Sequence, residues 1–300
     1  LPNTLCHIGI QAPLNGFVLD KKLLLWVIIA CIIPDLPWIE LKVLLACTAI
    51  NPYDLRLYCT PQASLLLCLL LGAGLSLWTR NSVTIFSILA LNSLIHLLLD
   101  SLQIKWGNGV NIISPVNWHL FHLDLFWPEY LGITFFTVLG FIYLMYNWKK
   151  LSAGSSMELS VNTTKRGIGG LLILLYFITP FYFIDQLEEA DTYFIHTMKD
   201  VENRPGKTIM LDRAHYFAGT KDVQIYSGER LDLTGNLPPQ SGRVSFSGVF
   251  QDSHTIAIHD FHCHTDHRDL ASIIGLFMAC VLVIQSLILG KFYSHKSQQG

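Results

Sequence analysis

Residues 95–101 read IHLLLDS and close an apolar run that begins at residue 82. A run of that length is a bilayer span more readily than a soluble-domain helix, and this reading decides the fold. On a helix, positions i and i+4 share a face, so His96 and Asp100 point the same way. In a soluble helix the pair would be a histidine satisfied by a neighbouring carboxylate. Inside a membrane, ionisable groups are rare and costly, and by default they mark functional sites.

The rest of the chain agrees with that reading. Of its 300 residues, 51% are hydrophobic and only 14% are charged, with a mean hydropathy of +0.43. This is too apolar for an ordinary soluble domain. Spans are predicted over 22–39, 82–100, 130–147, 168–185 and 271–290, with a shorter one over 63–78 and a marginal one over 4–19. The expected fold is a membrane α-helical bundle of about six to seven spans or half-spans. The net charge of -2 excludes no class of partner. The seven cysteines show no C-x-x-C or zinc-finger spacing. Cys47 and Cys59 are candidates for a disulfide if their loop is extracytoplasmic.

Basic residues in short loops set the orientation. Lys21, Lys22, Arg80, Lys149, Lys150, Lys165, Arg166, Lys291 and Lys296 fall on one side if seven helices alternate; Lys42, Arg56 and Lys105 fall on the other. The N-terminus is therefore expected outside and the C-terminus in the cytoplasm. On this map every histidine except His295 lies on the outer side, though seven of them share one large loop.

That loop, 186–270, has a different character. Stretches of alternating polarity at 208–211, 222–226, 230–235, 242–250 and 254–262 are separated by Gly, Pro, Asn and Asp. They predict a small extracytoplasmic β-sheet or barrel, OB-like in strand number, led by a helix over 186–203. Its 8 Lys+Arg against 13 Asp+Glu make it acidic, and nucleic acid is not an expected partner. The domains are then a helical core at 1–150, a cytoplasmic loop and further span at 151–185, the β-rich domain at 186–270, and a last span with a cytoplasmic tail at 271–300.

Other ionisable residues fall near the level of His96 and Asp100. Asp35 lies in ACIIPDLPW, where Pro34 and Pro37 break the second helix at its outer end. His7 reaches the same level if the first two helices form a hairpin. His7, Asp35, His96 and Asp100 thus make a candidate ligand set for a divalent metal, Zn²⁺ first. The following segment, WHLFHLDLFWPEY (118–130), offers His119 as a further ligand, and His122 or Asp124 as a proton acceptor. The bland reading of this aromatic stretch is an interfacial anchor. In HDFHCHTDHRD (259–269), His262 and His264 share one face of a strand with Asp260 and form a secondary metal candidate. The bland reading there is a polar strand end.

These residues and their order resemble the membrane-bound metal-dependent hydrolases related to the LexA-regulated inner-membrane hydrolase. The resemblance covers roughly 3–148. It rests on LCHIGIQ with His7, IIPDLPW with Asp35, HLLLDS with His96, Asp100 and Ser101, and WGNGVNIISPVNW at 106–118. It implies a bacterial inner-membrane enzyme whose His and Asp ligands bind metal and activate water. Two elements of the family pattern differ: Leu36, Pro37 and Trp38 follow the PD, and CTPQASLL (59–66) replaces a signature with histidine, leaving Gln62 nearest its place. The implied activity is hydrolysis of a phosphoester or ester in a lipid head group or other amphiphile at the outer face. The alternative is a catalytically degenerate scaffold whose β-domain binds an envelope protein. No H-E-x-x-H or G-x-S-x-G occurs, which disfavours a zincin protease and a common serine esterase.

Overall fold

The computed structural model describes residues 3–20, 23–153 and 160–297. Its helical part contains α1 (Thr4–Gly16), α2 (Leu24–Ala30), α3 (Leu36–Cys47), α4 (Pro52–Gln62), α5 (Leu65–Leu77), α6 (Ser82–Ser101), α7 (Leu131–Ala153), α8 (Thr163–Ile178) and α9 (Ile184–Glu189). After α10 (Ile195–Lys199) come five strands, β1 (Thr208–Phe217), β2 (Asp222–Gln224), β3 (Arg230–Gly235), β4 (Gly242–Phe250) and β5 (Thr255–Cys263), and then α11 (His267–Ser297). Among the described residues, five helical segments are long and apolar enough to cross a membrane, or six if the bent α4–α5 pair counts as one.

The buried side of α6 runs Ile85, Ile88, Leu89, Asn92, Ser93, His96, Leu97 and Asp100. This spacing is one stripe of a 3.6-residue helix, so the same periodicity that buries the leucines buries the histidine and the aspartate. Helix α1 lies deep in the bundle, packed against α2, α6, α7 and α11. It approaches α7 through two glycines. A Cβ on Gly9 would lie 2.0 Å from the Phe136 carbonyl oxygen, and one on Gly140 would lie 2.0 Å from the Leu5 carbonyl oxygen. The segment 4–19, the least apolar of the expected spans, is thus a short central helix.

Three expectations about element boundaries are corrected. Asp35 does not end the second span: a 3₁₀ turn at Ile33–Asp35 is followed by α3, and the apolar segment continues from Leu24 to Cys47. Pro37 permits this because a proline fits the first turn of a new helix. The shorter span at 63–78 is the second half of a helix pair bent by 69°, where Ser64 caps α5 by accepting from the Leu67 N–H. The helix over 186–203 is broken, with positive φ at Asp191, Tyr193 and Phe194. There the Asp191 carboxylate takes both the N–H and the hydroxyl of Thr197, competing with helical hydrogen bonding as short polar side chains do. Cys47 and Cys59 are free thiols. The Lys21–Lys22 turn, and the side chains of Lys291, His295 and Lys296, lie outside what the structure describes.

The strands close into a barrel in the order β1-β2-β3-β5-β4, with β3 and β5 parallel. Inward residues such as Ile209, Leu231, Val244, Phe246 and Ile256 form its core. At its end, fully buried Arg204 donates to Glu229 Oε1 at 2.6 Å and to the Ser253 carbonyl at 2.9 Å. Glu229 in turn accepts from the Tyr53 hydroxyl of α4 at 2.5 Å, which joins the barrel to the helical part.

Candidate metal centre

Helix α1 runs antiparallel to α6, and two side-chain pairs fix the register. The Asn15 and Asn92 amides are 2.9 Å apart, and His7 Nε2 is 3.1 Å from Asp100 Oδ1. The same register puts Gln11 opposite His96. The two imidazole rings stack flat, with centroids 3.6 Å apart and 3° between planes. His7, His96 and Asp100 offer ligand atoms that all lie within 4.8 Å of one another, and all three residues are buried. Asp35 approaches from the break before α3, its Oδ1 3.6 Å from His96 Nε2. It reaches the edge of the trio through His96.

The hydrogen bonding of this group is incomplete. His7 Nδ1, both nitrogens of His96 and Asp35 Oδ1 are buried and make no hydrogen bond, the 3.6 Å between His96 Nε2 and Asp35 Oδ1 being too long for one, and the same holds for the Gln11 amide and the Ser93 hydroxyl. A buried unsatisfied polar atom costs about 1–3 kcal/mol, so the cluster is expensive as a purely structural feature. Two carboxylates belong to the group, and one of them, Asp100, also meets the Lys105 ammonium, whose Nζ is 3.6 Å from its Oδ2. Orphaned imidazole nitrogens beside carboxylates are a donor set that fits a divalent metal.

Lys105 also lines a cavity of ≈ 300 Å³, together with His119, His122, Asp124 and Thr192. His122 Nδ1 lies 2.6 Å from Asp124 Oδ2, and both side chains are about half exposed. The pair thus sits in the cavity wall, outside the trio, with Lys105 common to both places. A neighbouring cavity of ≈ 340 Å³ shares Gly107, Tyr193 and Met210 with the first and is lined by Arg56, Arg213 and Arg243. The Arg56 guanidinium lies over the rings of Tyr193 and Tyr226, at 4.7 and 4.4 Å from their centroids. Gln62, at the α4–α5 bend, is fully buried and its amide has no partner.

On the barrel, His262 and His264 do share a face, but the carboxylate they meet is Glu129, in the segment before α7. Its Oε2 is 3.2 Å from His262 Nε2, and its Oε1 is 3.0 Å from His264 Nδ1. Asp260 is exposed and turns back to accept from the Phe261 N–H. It keeps regular register with His262, opposite Ser247 and Ser245, and the bulge falls on its other side, between Asp260 and Ile258, so it is the direction of its carboxylate that keeps it from its expected companions. Sequence reasoning missed Glu129 and Lys105. The signal for Lys105 was present: a lysine five residues beyond Asp100 in a helix-ending segment.

No family model, curated protein or solved structure matches the chain.

Proposed function

We propose that the chain is an integral membrane hydrolase dependent on one divalent metal, Zn²⁺, held by His7, His96 and Asp100 with Asp35 beside them. Its substrate is the phosphoester or ester of an anionic lipid head group or similar amphiphile at the extracytoplasmic face of a bacterial inner membrane. The observation that carries this reading is the convergence of α1, α6 and the Asp35 turn on one buried point with partnerless ring nitrogens. The motif order resembling the metal-dependent membrane hydrolases supports it. The N-terminus is outside and the C-terminus cytoplasmic, with the closed five-stranded barrel as an OB-like extracytoplasmic module.

When bound, the ion would supply Lewis acidity and lower the pKa of a water molecule toward about 7. The chain's own residues supply the remainder. Arg56, Arg213, Arg243 and Lys105 line cavities that suit an anionic head group. Asp124 holds His122 through Nδ1, which leaves Nε2 free to take a proton. Trp118, Phe126 and Trp127 place this segment at the interfacial level where aromatic side chains concentrate. Gln62, with a neutral amide where the family pattern has histidine, accounts for one ion rather than two.

The test combines metal analysis of untagged, detergent-purified protein with hydrolysis of labelled phospholipids. Asp100→Asn is expected to lose about one metal equivalent per chain and to abolish product release. Equal metal content in wild type, Asp100→Asn and His96→Ala would return the protein to the scaffold reading.

A further inference from the structure

The contact between the barrel and the helical part contains a second cluster whose proton count does not close. Asp212 Oδ1 is 2.8 Å from Ser245 Oγ, and Ser245 Oγ is 2.7 Å from His264 Nε2. His264 Nδ1 is 3.0 Å from Glu129 Oε1. These are three consecutive short contacts between electronegative atoms, and each needs a hydrogen or a cation between its partners. The two carboxylates bring no proton. Ser245 brings one and a neutral imidazole brings one, which leaves one contact unfilled.

Either His264 carries a second proton or a metal ion occupies the gap. The metal alternative requires His264 as the neutral imidazole, the form that binds metal, and its side chain is fully buried between Ser245 and Glu129. The donor spacing fits as well. A tetrahedral zinc site with bonds of about 2.0–2.1 Å has ligand atoms about 3.3 Å apart, and the two His–Glu contacts measure 3.2 and 3.0 Å. The three ligand atoms lie within 4.8 Å of one another. Trp127 stacks on the His262 ring at 3.8 Å with 3° between planes, which fixes that ring's orientation. Ser245 does the same for His264, the role an outer hydrogen-bond partner plays for a metal-binding imidazole. Arg213 Nη1 stands 3.9 Å from Glu129 Oε1, while its Nη2 is engaged by Asp269 at 3.3 Å, so it does not fill the vacant contact.

We propose that Glu129, His262 and His264 form a second divalent-metal site, suited to Zn²⁺, that ties β5 of the barrel to the segment leading into α7. The site is independent of the centre at His7, His96 and Asp100. Its ligands come from residues more than 130 positions apart in the chain, so the ion holds the barrel to the segment that leads into α7.

Full-length, untagged protein is stripped with a chelator in detergent and titrated with Zn²⁺, and bound metal is counted. The thermal midpoint is read with and without metal. Glu129→Gln, which keeps the shape and removes the charge, is expected to lose one equivalent and most of the metal-induced rise in midpoint. His262→Gln is expected to do the same and serves if Glu129→Gln does not fold. His96→Ala is expected to retain this equivalent. A wild type whose single ion survives His96→Ala but not Glu129→Gln supports this site and removes the other. If Glu129→Gln and His262→Gln both bind as much Zn²⁺ as wild type, the cluster is an imidazolium–carboxylate pair and the proposal is wrong.

Discussion

The Gly9–Gly140 crossing makes a prediction about how the fold holds the candidate centre. In Gly9→Ala the new methyl group would lie 2.0 Å from the Phe136 carbonyl oxygen and 2.8 Å from the Gly140 nitrogen. An acceptable C···O approach is about 3.3 Å, so α1 and α7 must separate by about 1.3 Å there. Both obstacles are backbone atoms of a helix, and no rotamer change relieves them. Overpacking costs about 1–3 kcal/mol and sometimes more, and this overlap belongs at the upper end; alanine's better helix propensity returns about 1 kcal/mol. The net loss is therefore about 2 kcal/mol or more. A displacement of that size also moves His7, two residues away and on roughly the opposite face of α1, and so disturbs its 3.1 Å contact with Asp100. Gly16→Ala is the control on the same helix: its methyl would meet only the Tyr143 hydroxyl, at 3.4 Å, so its effect should stay within about 0.5 kcal/mol. Unfolding in detergent, followed by circular dichroism, reads both variants, and metal content reads the second effect. Gly9→Ala as stable as Gly16→Ala would refute the crossing.

Glu229→Gln removes the charge opposite fully buried Arg204 and should destabilise the barrel by about 3 kcal/mol; a melting midpoint unchanged from wild type would contradict the pairing. Lys105→Met removes the ammonium 3.6 Å from Asp100, so Zn²⁺ should bind at least about tenfold more tightly at the centre, and unchanged or weaker affinity in a competition titration would speak against the ion sitting there. Burial pushes the Asp212 carboxyl up, but Arg268, with hydrogen bonds from Ser245 and Asn108, outweighs it and holds the group below its ordinary value. A depressed folded-state value means stability present above the unfolded value of about 3.9 and lost as pH falls through the folded one. Wild type should therefore exceed Asp212→Asn in stability at pH 7, and the gap should close as the pH falls below the unfolded value of about 3.9 and through the lower folded one; a gap that persists or widens in acid would show that Asp212 acts through packing alone.

The sequence was most informative where one local pattern did all the work. The stripe on α6 buries His96 and Asp100 by periodicity alone, and the five strands fall close to where alternation and turn residues put them. It was least informative where a residue's setting comes from chain-distant partners. Helix α1 looks marginal by hydropathy because it carries His7, Gln11 and Asn15, and its place in the bundle comes from a crossing with a distant partner, Gly9 on Gly140 of α7. Glu129 has no local pattern to distinguish it, since its partners are 133 and 135 residues away. Residues 186–203 have helical composition, yet one aspartate at 191 captures Thr197 and breaks the run. Local propensity was outcompeted there by a side-chain hydrogen bond.

The α1–α6 seam also separates a structural from a functional explanation of its polar residues. Its end at Asn15 and Asn92 is hydrogen-bonded side chain to side chain. Its middle, Gln11 with Ser93 and His96, holds polar atoms without partners. Its other end holds Asp100 against His7 and against Lys105, which lines the cavity. Orphaned polar atoms thus gather in the middle of the seam, and charge gathers at its cavity end. A seam selected for helix pairing alone would be satisfied along its whole length, because each orphan weakens the bundle. Thirteen residues of helix rise only about 20 Å, short of the roughly 30 Å of a hydrocarbon core. Helix α1, capped at Asn3, therefore lays His7, Gln11 and Asn15 against α6 from within the bundle, and those polar contacts are what its short length provides for.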